Sequence, residues 1–398
     1  MSEPRDAIDL FRRATGFEPY DYQRELVERD APPDVIEVPT GAGKTFAALI
    51  PWLADPDAPR RLVYALPMRT LVEQTADVVR RALERLGEAI PVHVLMGGVE
   101  TADWRRDPDR RMVLVGTIDM LLSRALNRGY GESRFAWPVS FGLLNNDCRW
   151  VFDEVQLMGP ARTTSAQLAG LRRRLGVSAP CQTIWMSATV DHDALRTIDH
   201  EPGGDVVRLS AADRAGPLAG RLDAVKTVVR VDLADAARAQ LGARIAEVAV
   251  DRHVPGTRTL VVVNRVDTAQ AIHAALRRRR GAVGPDVVLI HSRYRPPDRA
   301  ARLAEALADP GPEGTIVVAT QVIEAGIDLS SATLLTETAP FSSMVQRLGR
   351  CNRAGEHGEA TVVWLDRGTL AERDAAPYHP DDLDAAAEAF RGLVGESA

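Results

Sequence analysis

Short runs rich in Val, Ile and Leu alternate with amphipathic stretches along most of the chain, an alternation that predicts βαβ units on a parallel sheet. Up to about residue 210 the apolar runs fall at 35–38, 62–66, 92–95, 112–115, 150–152 and 183–186. Between 201 and 222 the pattern breaks into Gly, Pro and Asp, with Gly203-Gly204, Gly216-Pro217 and Gly220, which reads as a domain boundary. It resumes at 225–231, 260–263, 287–290, 316–318, 333–335 and 361–365, and an acidic, Ala-rich stretch at 381–390 predicts one terminal helix. The expected organisation is a first α/β domain over 1–212, a linker over 213–224, a second α/β domain over 225–370 and a helical tail over 371–398.

Composition narrows the class. At 398 residues, 45% apolar and 26% charged, the chain is long enough for two buried cores and is neither fibrous nor of low complexity. The longest uncharged run, 175–190, contains Ser, Gln and Pro and is too short to span a bilayer, so no membrane partner is expected. The opening residues carry acids where a secretory signal would have a basic region and an apolar core. Three widely spaced cysteines, Cys148, Cys181 and Cys351, fit neither a disulfide framework nor a metal knuckle, so a reducing cytoplasm is the expected setting. The net charge of −6 argues against coating nucleic acid by bulk attraction but leaves room for a local basic groove. Of 49 basic residues only Lys44 and Lys226 are lysine, which makes each lysine a conspicuous choice.

Lys44 falls where chemistry needs it. Pro39-Thr40-Gly41-Ala42-Gly43-Lys44-Thr45 follows the apolar run at 35–38 and opens a predicted helix at 46–53. In such a loop glycines let backbone N–H groups curl around phosphates, Lys44 reaches the β and γ phosphates of ATP, and Thr45 can ligate Mg²⁺. Asp153-Glu154-Val155-Gln156 ends the run at 150–152, where Asp153 would hold the metal and Glu154 would act as general base toward water. Ser187-Ala188-Thr189 ends the next run. In the second half, Gln346-Arg347-Leu348-Gly349-Arg350-Cys351-Asn352-Arg353 places three arginines at spacings of three. On a helix they would share a face, and like charges so spaced repel unless an anion such as a γ-phosphate answers them.

The loop departs from the general P-loop pattern at Val38, where an earlier Gly is usual, and the Thr-Gly-x-Gly-Lys-Thr form that results resembles that of superfamily 2 helicases. With the motifs above in order, nearly the whole chain resembles such a helicase. The resemblance implies an α/β fold of two tandem RecA-like domains, each a mostly parallel sheet flanked by helices, with the ATP cleft between them. It implies arginine fingers at Arg350 and Arg353 and a catalytic-motif residue at Gln346. Tyr20 and Gln23, within Phe17-Glu18-Pro19-Tyr20-Asp21-Tyr22-Gln23, would recognise adenine by stacking and amide bonds, and Gly326 and Asp328 would serve the ribose. Ser187 and Thr189 would couple hydrolysis to domain movement. Strand-gripping positions would be Pro67, Arg69, Thr70, Gly116 and Thr117 in the first domain, and Asn264, Arg265, His291, Ser292, Arg293, Thr320 and Gln321 in the second. Each of these is alone an ordinary strand-to-helix loop; the ordered set gives them meaning.

Three stretches bring the resemblance closer to the CRISPR-associated helicase of type I systems: 141–147 leading into 153–158, then 290–294, then 320–328. Gln156 stands where His is usual. That likeness implies a single-stranded DNA translocase and helicase working with a type I CRISPR effector complex. Its relatives commonly carry a nuclease with clustered His and Asp. The histidines here are scattered apart from His192-Asp193, so a nuclease is expected from a separate polypeptide or a missing extension. A DEAD-box-like RNA helicase is the alternative within the class, disfavoured by Val155 after the Asp-Glu pair and by Gln346 in place of His. A non-catalytic scaffold would have lost Lys44, Glu154 or a finger, and a small-molecule P-loop kinase leaves the second half unexplained. Two features stay open: Arg172–Arg174 and Arg277–Arg280 suit either helix C-termini or phosphate contacts, and the aromatics of 128–149 suit either a partner or local packing.

Overall fold

The computed structural model describes residues 6–98, 103–216, 218–280, 284–324 and 326–394. The chain divides into two compact units between Leu218 and Ala219.

The first unit is built on a seven-stranded, wholly parallel sheet: β1 (Val35–Glu37), β2 (Arg61–Leu66), β3 (Val92–Leu95), β4 (Met112–Thr117), β5 (Cys148–Asp153), β6 (Cys181–Ser187) and β7 (Val206–Arg208), in the order β3-β4-β2-β5-β6-β1-β7. Its central strands are buried on both faces, which is why β2 and β5 read as continuous apolar runs rather than alternating ones. Trp150, Phe152 and Trp185 stack in sequence across β5 and β6, with centroids 5.3 Å and then 6.5 Å apart. The three-residue β7 lies inside the stretch read as a break, where flanking Gly and Asp hide it from any periodicity argument.

One expectation changes here. Asp213, placed at the start of a linker, is buried, and its carboxylate accepts the N–H groups of Asp21 (2.7 Å) and Tyr22 (3.1 Å), capping the helix Asp21–Glu28. Cys148 and Cys181, far apart in sequence, face each other in register on adjacent strands as free cysteines.

The second unit repeats the plan with six parallel strands: β8 (Thr227–Asp232), β9 (Arg258–Val262), β10 (Asp286–Ile290), β11 (Thr315–Ala319), β12 (Thr333–Glu337) and β13 (Thr361–Asp366), in the order β10-β11-β9-β12-β13-β8. The last helix, Pro380–Leu393, packs Phe390 against Trp364 at 6.0 Å and so belongs to this core. The arginine clusters do end helices, Pro160–Leu175 and Val266–Arg279. Arg172 is buried over Trp150 and bonds Asn145 Oδ1 at 2.8 Å, a structural post.

Because every strand in a sheet runs the same way, the loops that leave the carboxyl ends share one edge of each unit. Lys44, Pro67, Thr117, Asp153 and Ser187 lie on that edge in the first unit, and Asn264, His291 and Thr320 on the equivalent edge in the second.

Candidate nucleotide and nucleic-acid sites

The glycine loop leaves β1 and turns through Gly41 (φ 89°) and Gly43 (φ 82°), left-handed conformations that a side chain would resist. Gly43 is needed for space as well, since a Cβ there would stand 2.7 Å from Gln23 Nε2. The helix Lys44–Ala54 then starts, offering its free N–H groups to an anion. Thr40 is exposed, while Lys44 is buried with Nζ 3.3 Å from Glu154 Oε1 and 4.0 Å from Asp153 Oδ1.

The expected adenine reader has another occupation. Gln23 is 1% exposed; its Oε1 accepts the Tyr20 N–H at 2.9 Å, and its Nε2 donates to Gly43 O at 3.2 Å. Tyr22, stacked on Tyr20, donates its hydroxyl to Ala42 O. The Gln23 amide here ties the glycine loop to the start of the helix Asp21–Glu28. Half-buried Tyr20 remains available for stacking.

At the end of β5, Glu154 adopts φ 55° and ψ 50°, an uncommon left-handed conformation for a glutamate. That turn aims both carboxylates at Lys44. Asp153 Oδ2 accepts the Tyr64 hydroxyl at 2.8 Å, and Oδ1 accepts the Glu154 N–H at 2.9 Å. Burial pushes the Asp153 carboxyl up to about 6, with Lys44 opposing and Glu154 adding to the rise. Glu154 Oε2 accepts Gln156 Nε2 at 2.6 Å, and the Ser187 hydroxyl lies against Gln156 Oε1 and the Thr189 carbonyl. A polar chain thus runs Lys44, Glu154, Gln156, Ser187, Thr189.

The donor set suits Mg²⁺. Asp153 and the Thr45 hydroxyl are hard oxygen donors gathered around one buried phenol, Tyr64. Sequence reasoning missed Tyr64; the signal was a lone hydroxyl in the aliphatic run Leu62-Val63-Tyr64-Ala65-Leu66.

The expected strand-gripping residues separate into two groups. Arg69, Ser292 and Arg293 are exposed, and Pro67, Thr70 and Thr117 are partly so. Gly116 is a packing requirement, because a Cβ there would stand 2.6 Å from Leu95 O. Asn264 spends its side chain on Thr338 O (2.7 Å) and on Arg347 (2.9 Å), and Gln321 donates to Asn264 O at 2.8 Å. Arg265 pairs with Asp267, and Thr320 is buried. His291 is buried and stacked on Tyr294 at 4.2 Å, with burial lowering its basicity. In this structure Thr320 and His291 are buried in the edge, while Asn264 and Gln321 are bonded into it and remain partly exposed.

The arginine motif also differs from its expected form. The helix Phe341–Leu348 ends before Arg350, so the three arginines share no helical face. Arg347 is fully buried, pairing with Glu324 at 2.8 Å and bonding Glu337 O. Arg350 is buried against the carbonyls of Ile323, Glu324 and Ile327. Gln346, beside them, is buried too. Arg353 pairs with Asp328 at 3.0 Å, just past Gly326 (φ 78°), so the expected phosphate and ribose ligands hold each other. Sequence spacing shows where charges fall but not which of them a core absorbs.

The fold is that of the tandem RecA-like helicases, and the motifs fall in the same order. The DEAD/DEAH box helicase family matches residues 22–198, and the C-terminal family of the CRISPR-associated nuclease/helicase Cas3 matches residues 255–356. Within that class the chain is similar to Cas3 proteins. It is 27% identical to the CRISPR-associated helicase Cas3 of Thermoproteus tenax, an alignment covering 94% of this chain and 62% of that protein. It is 30% identical to the putative CRISPR-associated nuclease/helicase Cas3 of Myxococcus xanthus, over 86% of this chain and 44% of that protein. The chain thus spans about half the length of these relatives. The AMPPNP-bound crystal structure of T. fusca Cas3 superposes over 98% of this chain and 51% of its own, with a TM-score of 0.73 at 20% identity, a likeness of fold. Among the described residues, no helix is long and apolar enough to cross a membrane.

Proposed function

We propose that the chain is an ATP-driven motor on single-stranded DNA, acting with a type I CRISPR effector complex, and that the nuclease it serves lies on a separate polypeptide or a further segment. The observation that carries the reading is the intact polar chain from Lys44 through Glu154 and Gln156 to Ser187. It joins the phosphate-binding lysine to the loop expected to report hydrolysis. Thr45 and Asp153 would hold Mg²⁺, which when bound neutralises phosphate charge. Glu154 would accept a proton from water, and Lys44 would exchange its carboxylate partner for a phosphate. Gly326 and Asp328 would serve the ribose. Arg350 and Arg353 would be the arginine fingers, and Arg353, the more exposed of the two, would first have to release Asp328.

The test is ATPase rate with single-stranded DNA, single-stranded RNA, duplex DNA and no nucleic acid, in the parent, Lys44→Ala and Glu154→Gln. Single-stranded DNA should stimulate the parent most, both variants should be inactive, and Glu154→Gln should still bind ATP. Stimulation by RNA alone would favour an RNA helicase. Equal rates in all four conditions would sink the motor reading.

A further inference from the structure

Between the helix Ile118–Ala125 and β5 the chain makes a turn that its own buried groups fix in place. Glu132, its side chain 7% exposed, accepts Arg124 Nε at 2.6 Å, Arg105 at 3.0 Å and the Ser140 hydroxyl at 3.0 Å. Arg124 also reaches Tyr130 O at 3.2 Å, and Trp137 Nε1 donates to Gly129 O at 3.2 Å. Gly129 closes against this cluster, since a Cβ there would fall 2.3 Å from Glu132 Oε2. Desolvating such a cluster is expensive, so a turn that keeps one is being held to a shape.

The shape places Tyr130, 64% exposed, and Phe135, 86% exposed, in water. Arg128 and Arg134 are exposed beside them. Glu132 is the sole acid between 126 and 141 and is already neutralised by two arginines, so the outer face of the turn carries only positive charge. Rigid rings alternating with arginines are what successive bases and phosphates of a single strand require, and the ordering entropy has been spent in advance. Leu126, Val139 and Phe141 are only about half exposed, a modest apolar margin for a protein partner.

We propose that residues 128–135 form an auxiliary platform for single-stranded nucleic acid, with bases stacking on Tyr130 and Phe135 and with Arg128 and Arg134 meeting phosphates. The platform rests on the nucleic-acid reading above and lies outside the strand-gripping loops considered there. The helix Ile118–Ala125, about 12 Å long, carries the chain away from Thr117 toward the amino end of β5, which makes the platform separate from the loops of the carboxyl edge.

The experiment uses the full chain without nucleotide, a fluorescein-labelled single-stranded DNA 20-mer and the same strand carrying 2-aminopurine. Tyr130→Ala/Phe135→Ala should weaken affinity on the order of tenfold and abolish the 2-aminopurine quenching, while Phe135→Trp should retain both. Phe135→Ala alone, at a nearly bare position, keeps the test readable if the double variant loses its parental melting temperature. A folded variant with parental affinity and quenching overturns the platform, assigns the rings to a protein partner and leaves the motor reading intact. A parent chain that fails to bind the strand overturns both.

Discussion

Asp153→Asn should make the chain more stable at pH 8 while removing the carboxylate proposed to hold Mg²⁺. Asp153 is buried, and its pKa rises from 3.8 to about 6 with desolvation as the leading cause. A carboxyl raised on folding contributes stability that is fully present below pH 3.8 and is lost as pH rises through 6. At about 1.4 kcal/mol per unit, ionised Asp153 costs the native state about 3 kcal/mol above that window. Asparagine cannot ionise and so escapes the cost. It can still accept the Tyr64 hydroxyl, but its NH₂ then faces the Glu154 N–H, a loss of about 1 kcal/mol. The net gain should be about 2 kcal/mol at pH 8, falling to near zero by pH 4.5. Trp52, Trp104, Trp137, Trp150 and Trp185 lie in the first unit and Trp364 alone in the second, so tryptophan fluorescence during urea denaturation, in EDTA, reports the relevant unfolding. A variant destabilised equally at both pH values would refute the argument that Asp153 is held against its own solvation.

Gln156→Ala cuts the polar chain at its middle, and kcat should fall about tenfold or more with KM for ATP near parental, because a hydrogen bond to the charged Glu154 is lost while the phosphate loop is untouched. Gln156→His should recover much of that loss, and a parental kcat in the alanine variant would remove the relay. Arg347→Ala strands the buried Glu324 carboxylate and should destabilise the second unit by about 3–5 kcal/mol. Hydrogen exchange should then quicken in β9, β11 and β12 but not in β5 or β6; unchanged exchange there would show Arg347 to be dispensable to the core.

Local pattern and spatial neighbourhood were legible to different degrees. Every apolar run proposed from the sequence is a strand, because a parallel sheet covered on both faces demands the same β-branched residues along its length. β7 escaped because three residues between glycines carry no periodicity. The glycine loop and the Asp153-Glu154 pair were readable because their chemistry is local to a strand end. The contacts of Gln23, Asn264 and Arg347 were not, since they run to carbonyls and a side-chain amide as far as 83 residues away. Tyr64 was overlooked for the converse reason: it is polar within an apolar run, and only the fold shows what it serves.

The scarcity of lysine has a practical side. The chain offers amine-reactive reagents two side-chain amines: Lys226, half-buried with Nζ bonded to Ala224 O, and Lys44, buried against Glu154. Generic acylating labels therefore meet a surface of guanidinium groups that do not react. A nucleotide acyl phosphate would carry its electrophile to Lys44 Nζ, so one modified peptide in a mass spectrum would report occupancy of the phosphate loop against an almost silent background.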